Sequence, residues 1–443
     1  MQFERDLWRR FGRNTRGNAL AHAERIELLD TTALKGETAQ AGLAVHQATD
    51  RQRSVRLLEY AFMLREIARR TGDVACLANA GRAAERAVKL AVDDPTRIAA
   101  RLELAQCSLL GADLFGDSLA AEAAHSRLST LEAEERLGVD DRIVAMGLKA
   151  RLLARNALTD NDLNAAVEAA GAFDEAVELS DERLRTSGDG RILAANLRLH
   201  RADMLVGFGV QLKEATLLRQ AETDLAQVSA QIDRDRLPIT WARAEALRGA
   251  ALAACGALDA DEDEISRGAT ALSVSMGHLP LTHSPLDTAR TSHALGVVLM
   301  TLGEVCDDDR LFDEAIAAFD RALEPFEANP EIAQRPVCAY DRAIAITRRA
   351  ERHGDTTSLD YAERAFKAEL SGLEPSLDPV AWAVVQVALA RVYSARAALT
   401  GDEGQRSRAT LALATALDVF TERGLRSLAE VVMTSLEQLK TRA

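Results

Sequence analysis

The stretch 302–322, LGEVCDDDRLFDEAIAAFDRA, decides the fold. Small residues stand at Gly303 and Ala315, twelve apart, with Phe312 three before the second and Phe319 four after it. The arrangement recurs every 47 residues: Gly209, Gly256, Gly303, Ala350 and Ala397 fill the first small slot, and Ala221, Gly268, Ala315, Ala362 and Ala409 the second. Bulky residues keep the same register, Leu218, Ile265, Phe312 and Leu359 before the second small residue and Leu225, Leu272, Phe319, Phe366 and Leu413 after it; Arg406 breaks one slot. Two helices cross closely only where at least one side chain is Gly or Ala, and large neighbours then fill the adjoining grooves. A fixed period of this size over five units predicts a solenoid, in which each unit buries its apolar face against its neighbours.

The spacing Ala315-x3-Phe319-x2-Ala322 resembles the second helix of a tetratricopeptide repeat, with Leu302-Gly303 closing the first. The family's usual unit is about 34 residues, so a 47-residue unit is similar to the long variants found in bacterial tetratricopeptide-like proteins. Apolar periodicity unbroken from Thr288 to Leu302 places the surplus mainly in a lengthened first helix, and partly in the acidic turn after it. Several such variants open that helix with Pro-x2-Trp-Ala. Here Pro238, Trp241 and Ala242, and again Pro379, Trp382 and Ala383, fit this pattern, with echoes at Pro285 and Pro336. Proline suits a first helical turn, where its missing N–H would be unsatisfied anyway. Pro95, Asp141 and Gly190 occupy roughly the same slot in earlier, looser units.

The expected fold is all-α: a right-handed superhelical solenoid of helix-turn-helix repeats, about eight hairpins over 53–423, behind a basic N-terminal helix and lead-in at 1–52. In the last segment, 424–443, Leu425, Leu428, Val432, Leu436 and Leu439 share one stripe. That stripe suits either a helix capping the end of the stack or a dimer seam.

With 47% hydrophobic residues, 9 prolines, 4% aromatics and no long β-branched alternation, the chain has no room for a hidden β domain. A 443-residue globule would split into domains, yet no Gly/Ser-rich or Pro-rich linker is present, and a solenoid needs no single central core. The net charge of -14 argues against nonspecific nucleic-acid binding, which requires a basic face. Cys76, Cys107, Cys255, Cys306 and Cys338 are odd in number and scattered, as reduced core residues would be. There is no secretory run after Met1 and no apolar stretch of membrane-spanning length, so a cytoplasmic protein is expected.

The N-terminus departs from the repeat. Phe3, Leu7, Trp8 and Phe11 fall on one helical face, and five arginines against two acids leave residues 1–16 at +3. A basic amphipathic helix ahead of an acidic body allows three roles: docking on the protein's own first repeats, insertion into a partner's groove, or peripheral adsorption to an anionic membrane.

Chemistry-bearing motifs are sparse. Asp259 to Glu264 alternates acids as a calcium loop does, but Glu264 replaces the sixth-position glycine and Thr270 the final glutamate. His278, His283 and His293 lack a third ligand, and there is no Walker loop, dinucleotide fingerprint or nucleophile elbow. Neither a metal, a cofactor nor a catalytic group is expected, which leaves binding. In the family the first helix of each unit lines the concave face, so the resemblance implies inward positions at Val297, Met300, Glu304 and Asp307, at Ala250, Ala253, Ala257 and Ala260, and at Arg391, Ser394, Ala398 and Gly401. The Lys/Asn clamp of chaperone-type members is absent, and the small, apolar lining suits an apolar or helical segment. The expected function is a non-catalytic scaffold or adaptor that holds a cytoplasmic protein or peptide partner in this groove. The alternative is a ligand- or peptide-sensing regulatory module whose superhelix changes shape on binding.

Overall fold

The computed structural model describes residues 25–132, 137–160, 162–187, 191–377, 379–423 and 426–441; Phe3, Leu7, Trp8 and Phe11 lie outside them. Among the described residues there is no strand, and eighteen helices of fifteen residues or more follow one another. Helix α1 (Thr31–Gln47) precedes eight hairpins: α2 (Asp50–Thr71) with α3 (Val74–Leu90), α4 (Asp94–Phe115) with α5 (Ser118–Glu132), α6 (Val139–Asp160) with α7 (Leu163–Ser187), and α8 (Arg191–Leu212) with α9 (Ala215–Gln231). Then come α10 (Pro238–Asp259) with α11 (Glu262–His278), α12 (Pro285–Val305) with α13 (Asp309–Glu327), α14 (Gln334–His353) with α15 (Thr356–Gly372), α16 (Pro379–Thr400) with α17 (Glu403–Glu422), and finally α18 (Arg426–Thr441). First helices run 20 to 22 residues, which is where the surplus over a short repeat resides. The chain forms two compact units, Met1–Thr291 (unit 1) and Ser292–Ala443 (unit 2).

Pro238, Pro285 and Pro379 each open a first helix, and Pro95 is the second residue of α4. The turn that follows seven of the first helices, all but α6, has a repeating two-residue construction among the described residues. Its first residue takes the left-handed conformation: Gly72, Gly116, Lys213, Ala260, Asp307, Gly354 and Gly401, with φ between 53° and 77°. Its second is an acid that caps the next helix by accepting a backbone N–H: Asp73, Asp117, Glu214, Asp261, Asp308, Asp355 and Asp402. The left-handed residue ends one helix and satisfies its orphan carbonyls, while the acid satisfies the orphan donors of the next and complements its dipole. Asp259 to Glu264 and Asp307 to Asp309 are therefore turn and cap chemistry, with Asp261 bound to the Glu264 N–H at 3.1 Å and Asp308 to that of Arg310 at 2.9 Å.

Packing follows the small-residue register. In the α10/α11 pair a Cβ on Gly268 would lie 2.6 Å from the Gly249 carbonyl oxygen, and one on Gly256 would lie 2.8 Å from the Ile265 nitrogen. These backbones touch, and only glycine allows it. The bulky slots are buried throughout: Leu218, Ile265, Leu359, Leu225, Leu272 and Phe319 lose all exposure. Phe312, Phe366 and Leu413 keep at most 2%. Arg406, in the broken slot, turns to Glu403 at 2.6 Å.

The left-handed slot gives a reciprocal prediction. Ala260→Gly should stabilise the fold by about 0.5–1 kcal/mol, the left-handed cost of a side chain less the added entropy of the unfolded chain, and Gly354→Ala should destabilise by a similar amount. Denaturation midpoints that move together, or not at all, would contradict this construction of the turn.

Candidate functional site

Unit 1 closes on itself. The Glu27 carboxylate accepts the backbone N–H groups of Ile239 and Thr240 at 3.1 Å each, and the Thr240 hydroxyl besides, so a residue over two hundred positions away caps the start of α10. Thr31 donates its N–H to the Thr282 carbonyl at 2.9 Å. Arg70, fully buried at the end of α2, donates to the carbonyls of Leu29 (2.7 Å) and Ile26 (2.9 Å) and to Glu66 (2.7 Å). Its neighbour Arg69 donates to Glu66 at 2.8 Å and, across the seam, to Asp287 at 2.9 Å.

This closure encloses one face of the first helices, and a run of charges lies on it. Arg69 and Asp113 are the twentieth residues of α2 and α4, Arg151 and Asp203 the thirteenth of α6 and α8, and Arg243 and Arg290 the sixth of α10 and α12. The facing slot thus retreats by seven residues, two helical turns, every second hairpin. Arg69, Arg151 and Arg243 all act electrostatically on His200, while Arg151, Arg243, Arg290 and Asp113 act on Asp203.

The electrostatics are those of a crowded, partly dry face. Burial alone would push the Asp287 carboxyl up, but Arg69, Arg243 and Arg290 overrule it and hold it at about 2. Burial works the same way on Glu66, and Arg69 with Arg70 holds it well below the ordinary carboxylate range. Enclosure lowers the His200 pKa well below its usual value, and the arginines Arg151, Arg243 and Arg69 lower it further, so its imidazole is neutral at neutral pH. Asp203 reaches solvent, yet the surrounding protein raises its pKa against the pull of Arg243 and Arg290. Arg243 is lowered by burial and by Arg69, Arg290 and Arg151, which outweigh the attraction of Asp287. Neither His200 nor Asp203 has a hydrogen-bond partner or ion pair among the described residues, and the nearest carboxylate oxygen to Arg243 is on Asp287 at 3.8 Å.

Of the positions that family spacing singled out, Ala250 and Ala257 are the thirteenth and twentieth residues of α10, the slots that Asp203 and Asp113 fill on their own helices, while those from Val297 onward belong to unit 2. Val297 and Met300 are half-buried on α12 in unit 2, and Glu304 is exposed. Glu304 pairs with Arg348 at 2.9 Å, Asp307 with Arg352 at 2.6 Å, and Arg391 with Glu351 at 2.7 Å. These charges link α12 to α14 and α14 to α16, repeat to repeat, and Ser394 donates to the Ala390 carbonyl within its own helix. Asp307 is also the left-handed turn residue, and Ala253 faces Gly268 of α11. Among the described residues no cluster of three His, Cys, Asp or Glu side chains is arranged to hold a metal, and no helix is long and apolar enough to cross a membrane. A separate groove of about 440 Å³ lies between α1, α2 and α3, against Leu43, Tyr60, Arg82 and Arg86.

Sequence reasoning missed Arg69, His200, Asp203 and Arg243. One signal was present: Arg243 and Arg290 are 47 residues apart, a charged slot inside the repeat.

The fold is an array of consecutive helical hairpins, similar to tetratricopeptide-type helical repeats. No protein-family model matches the chain, and comparison with curated proteins gives no match. Among solved structures it is similar to a Rap protein complexed with competence and sporulation factor, at 11% identity and TM-score 0.49 over 88% of this chain and 98% of that one. It is also similar to a signal transduction ATPase with numerous domains carrying a tetratricopeptide repeat sensor, from Pyrococcus horikoshii, at 13% identity and TM-score 0.47; 88% of this chain is covered and it spans about half, 54%, of that one. Yeast Tom70 follows at 13% identity and TM-score 0.30, over 93% and 96% of the two chains. At such identities and scores the likeness bears on neither partner nor activity.

The depressed pKa of Asp287 fixes a pH dependence. Its folded value of about 2 lies below the ordinary 3.8, so its contribution is complete above the ordinary value and is lost as pH falls toward 2. The stability difference between the wild type and Asp287→Asn should be constant above about pH 5 and shrink by about 2 kcal/mol between pH 4 and 2. Urea midpoints across that range test it, and a flat difference would show that Asp287 is not held by the arginines.

Proposed function

We propose that the chain is a non-catalytic interaction module that holds a segment of a protein or peptide partner on the enclosed charged face of unit 1. The observation that carries this reading is the state of His200, Asp203 and Arg243. They are polar groups on an enclosed surface, brought together from two hairpins, with hydrogen-bonding capacity that the fold leaves unused. With His200 and Arg243 half-buried and Asp203 exposed, these groups can exchange water for the donors and acceptors of a partner. Solenoid faces built from consecutive first helices are extended binding surfaces by construction.

A photo-crosslinking amino acid placed at position 203 of the full chain, and a control at Val167, exposed on α7, test the reading in native extract. Position 203 should give a defined protein or peptide adduct that position 167 does not. Equal adducts from both, or none from 203, would contradict it.

The seam supports a second reading, in which binding changes the shape of the solenoid. Glu27, Thr31 and Arg70 close unit 1 through a small number of polar contacts bordering the same face. Under that reading a bound ligand slows hydrogen exchange at the amides of Thr31, Ile239 and Thr240; under the first, those amides are unaffected.

A further inference from the structure

The charge on this face runs against the chain. The whole sequence carries -14, yet four guanidinium groups, Arg69, Arg151, Arg243 and Arg290, act on one another or on the same central groups, against three carboxylates, Asp113, Asp203 and Asp287. Two of those carboxylates are already committed: Asp287 to Arg69 at 2.9 Å and Asp113 to Arg151 at 2.7 Å. Asp203 stands among the arginines without reaching ion-pair distance of any, and its side chain is exposed. Arg243 reaches Asp287 only at 3.8 Å, and Arg69, Arg290 and Arg151 surround it with like charge.

Arginine forks match planar carboxylates. The carboxylates of Asp203 and Asp113 repel compact or repeating polyanions, which disfavours phosphate and nucleic acid. An extended peptide offers what both signs require, a side-chain or terminal carboxylate for the arginines and backbone N–H donors for an acceptor on the facing helix. Arg243 on α10 and Asp203 on α8 supply that pair of complementary contacts.

Resting on the reading that this face takes a partner segment, we infer that the segment is acidic: a peptide carboxylate is taken by Arg243 in the gap it shares with Arg151 and Arg290, and a neighbouring N–H is donated to Asp203. The Lys/Asn clamp sought in the sequence is replaced by arginines supplied from several hairpins.

The probes are two pools of dye-labelled octapeptides, identical except that one carries a single Asp or Glu where the other carries Asn or Gln. Binding to the full-length protein is read by fluorescence anisotropy at low salt. The acidic pool should bind at least about tenfold more tightly than the amide pool, as a charge-assisted contact requires. Arg243→Gln should bring the two pools together, Arg243→Lys should keep part of the preference, and millimolar inorganic phosphate should not displace the acidic pool. Should Arg243→Gln prove misfolded by circular dichroism, Arg290→Gln carries the same comparison. Equal binding of the pools to wild type overturns the acidic inference and leaves segment binding standing. Displacement by phosphate overturns it in favour of a small-oxyanion site. Failure of both pools with a specific adduct from position 203 overturns it in favour of another partner chemistry, and failure of both with no adduct overturns the proposed function itself.

Discussion

Arg69 and Asp287 lie 218 residues apart and meet at 2.9 Å, and the arrangement of unit 1 depends on that meeting. A buried ion pair is a poor source of net stability, because removing two charges from water costs about as much as their attraction returns. What it supplies is register. Asp287 is satisfied only when Arg69, Arg243, Arg290 and the Ser284 hydroxyl, at 2.6 Å, all arrive around it. That occurs only if each intervening hairpin adds the right rotation, so small errors in any one repeat would leave several charges buried and unmatched. The carbonyls of Ile26 and Leu29 around Arg70, and the Glu27 cap on α10, extend the same requirement to the uncharged backbone.

The repeat meets this requirement through two local devices. The left-handed residue and the acidic cap fix how one helix turns into the next, and the small-residue crossings fix how closely the pair packs. The length of the first helices has its own consequence. Because the enclosed slot moves from the twentieth residue to the sixth across six hairpins, the line of facing side chains crosses the helices obliquely over about 20 Å of helical rise. First helices of 21 or 22 residues contain both ends of that line; those of a 34-residue unit would not. The 47-residue period and the charged face are thus two aspects of one geometry.

The repeat was legible because packing writes itself at fixed intervals: Gly256 against Ile265 and Phe312 beside Gly303 are sequence patterns with a steric cause. The prolines at 238, 285 and 379 marked helix starts for an equally local reason. The turn construction was also written there, as Gly-Asp at 72, 116, 354 and 401, but Lys213-Glu214 and Ala260-Asp261 obscured it, since backbone conformation can repeat where residue type does not. The face was not legible in the same way. Carrying one slot from repeat to repeat assumes that the facing line runs straight, and here it slants by two helical turns every second hairpin. Glu304 and Arg391, in unit 2, are repeat-to-repeat ties, while in unit 1 Arg243 and Asp203, which occupy different slots, act on each other. Closure over 218 residues has no local signature at all.

The most direct test of this account is a double-mutant cycle across the seam of the full chain, with Arg69→Met, Asp287→Leu and the pair, each compared with wild type by urea denaturation. Closure through this contact predicts a coupling of about 1.5–3 kcal/mol, because each single variant takes from the surviving partner one of the opposite charges that hold it while buried, and the double variant removes both partners. Losses that simply add, with coupling near zero, would mean that Arg69 and Asp287 do not meet and that the enclosed face does not exist.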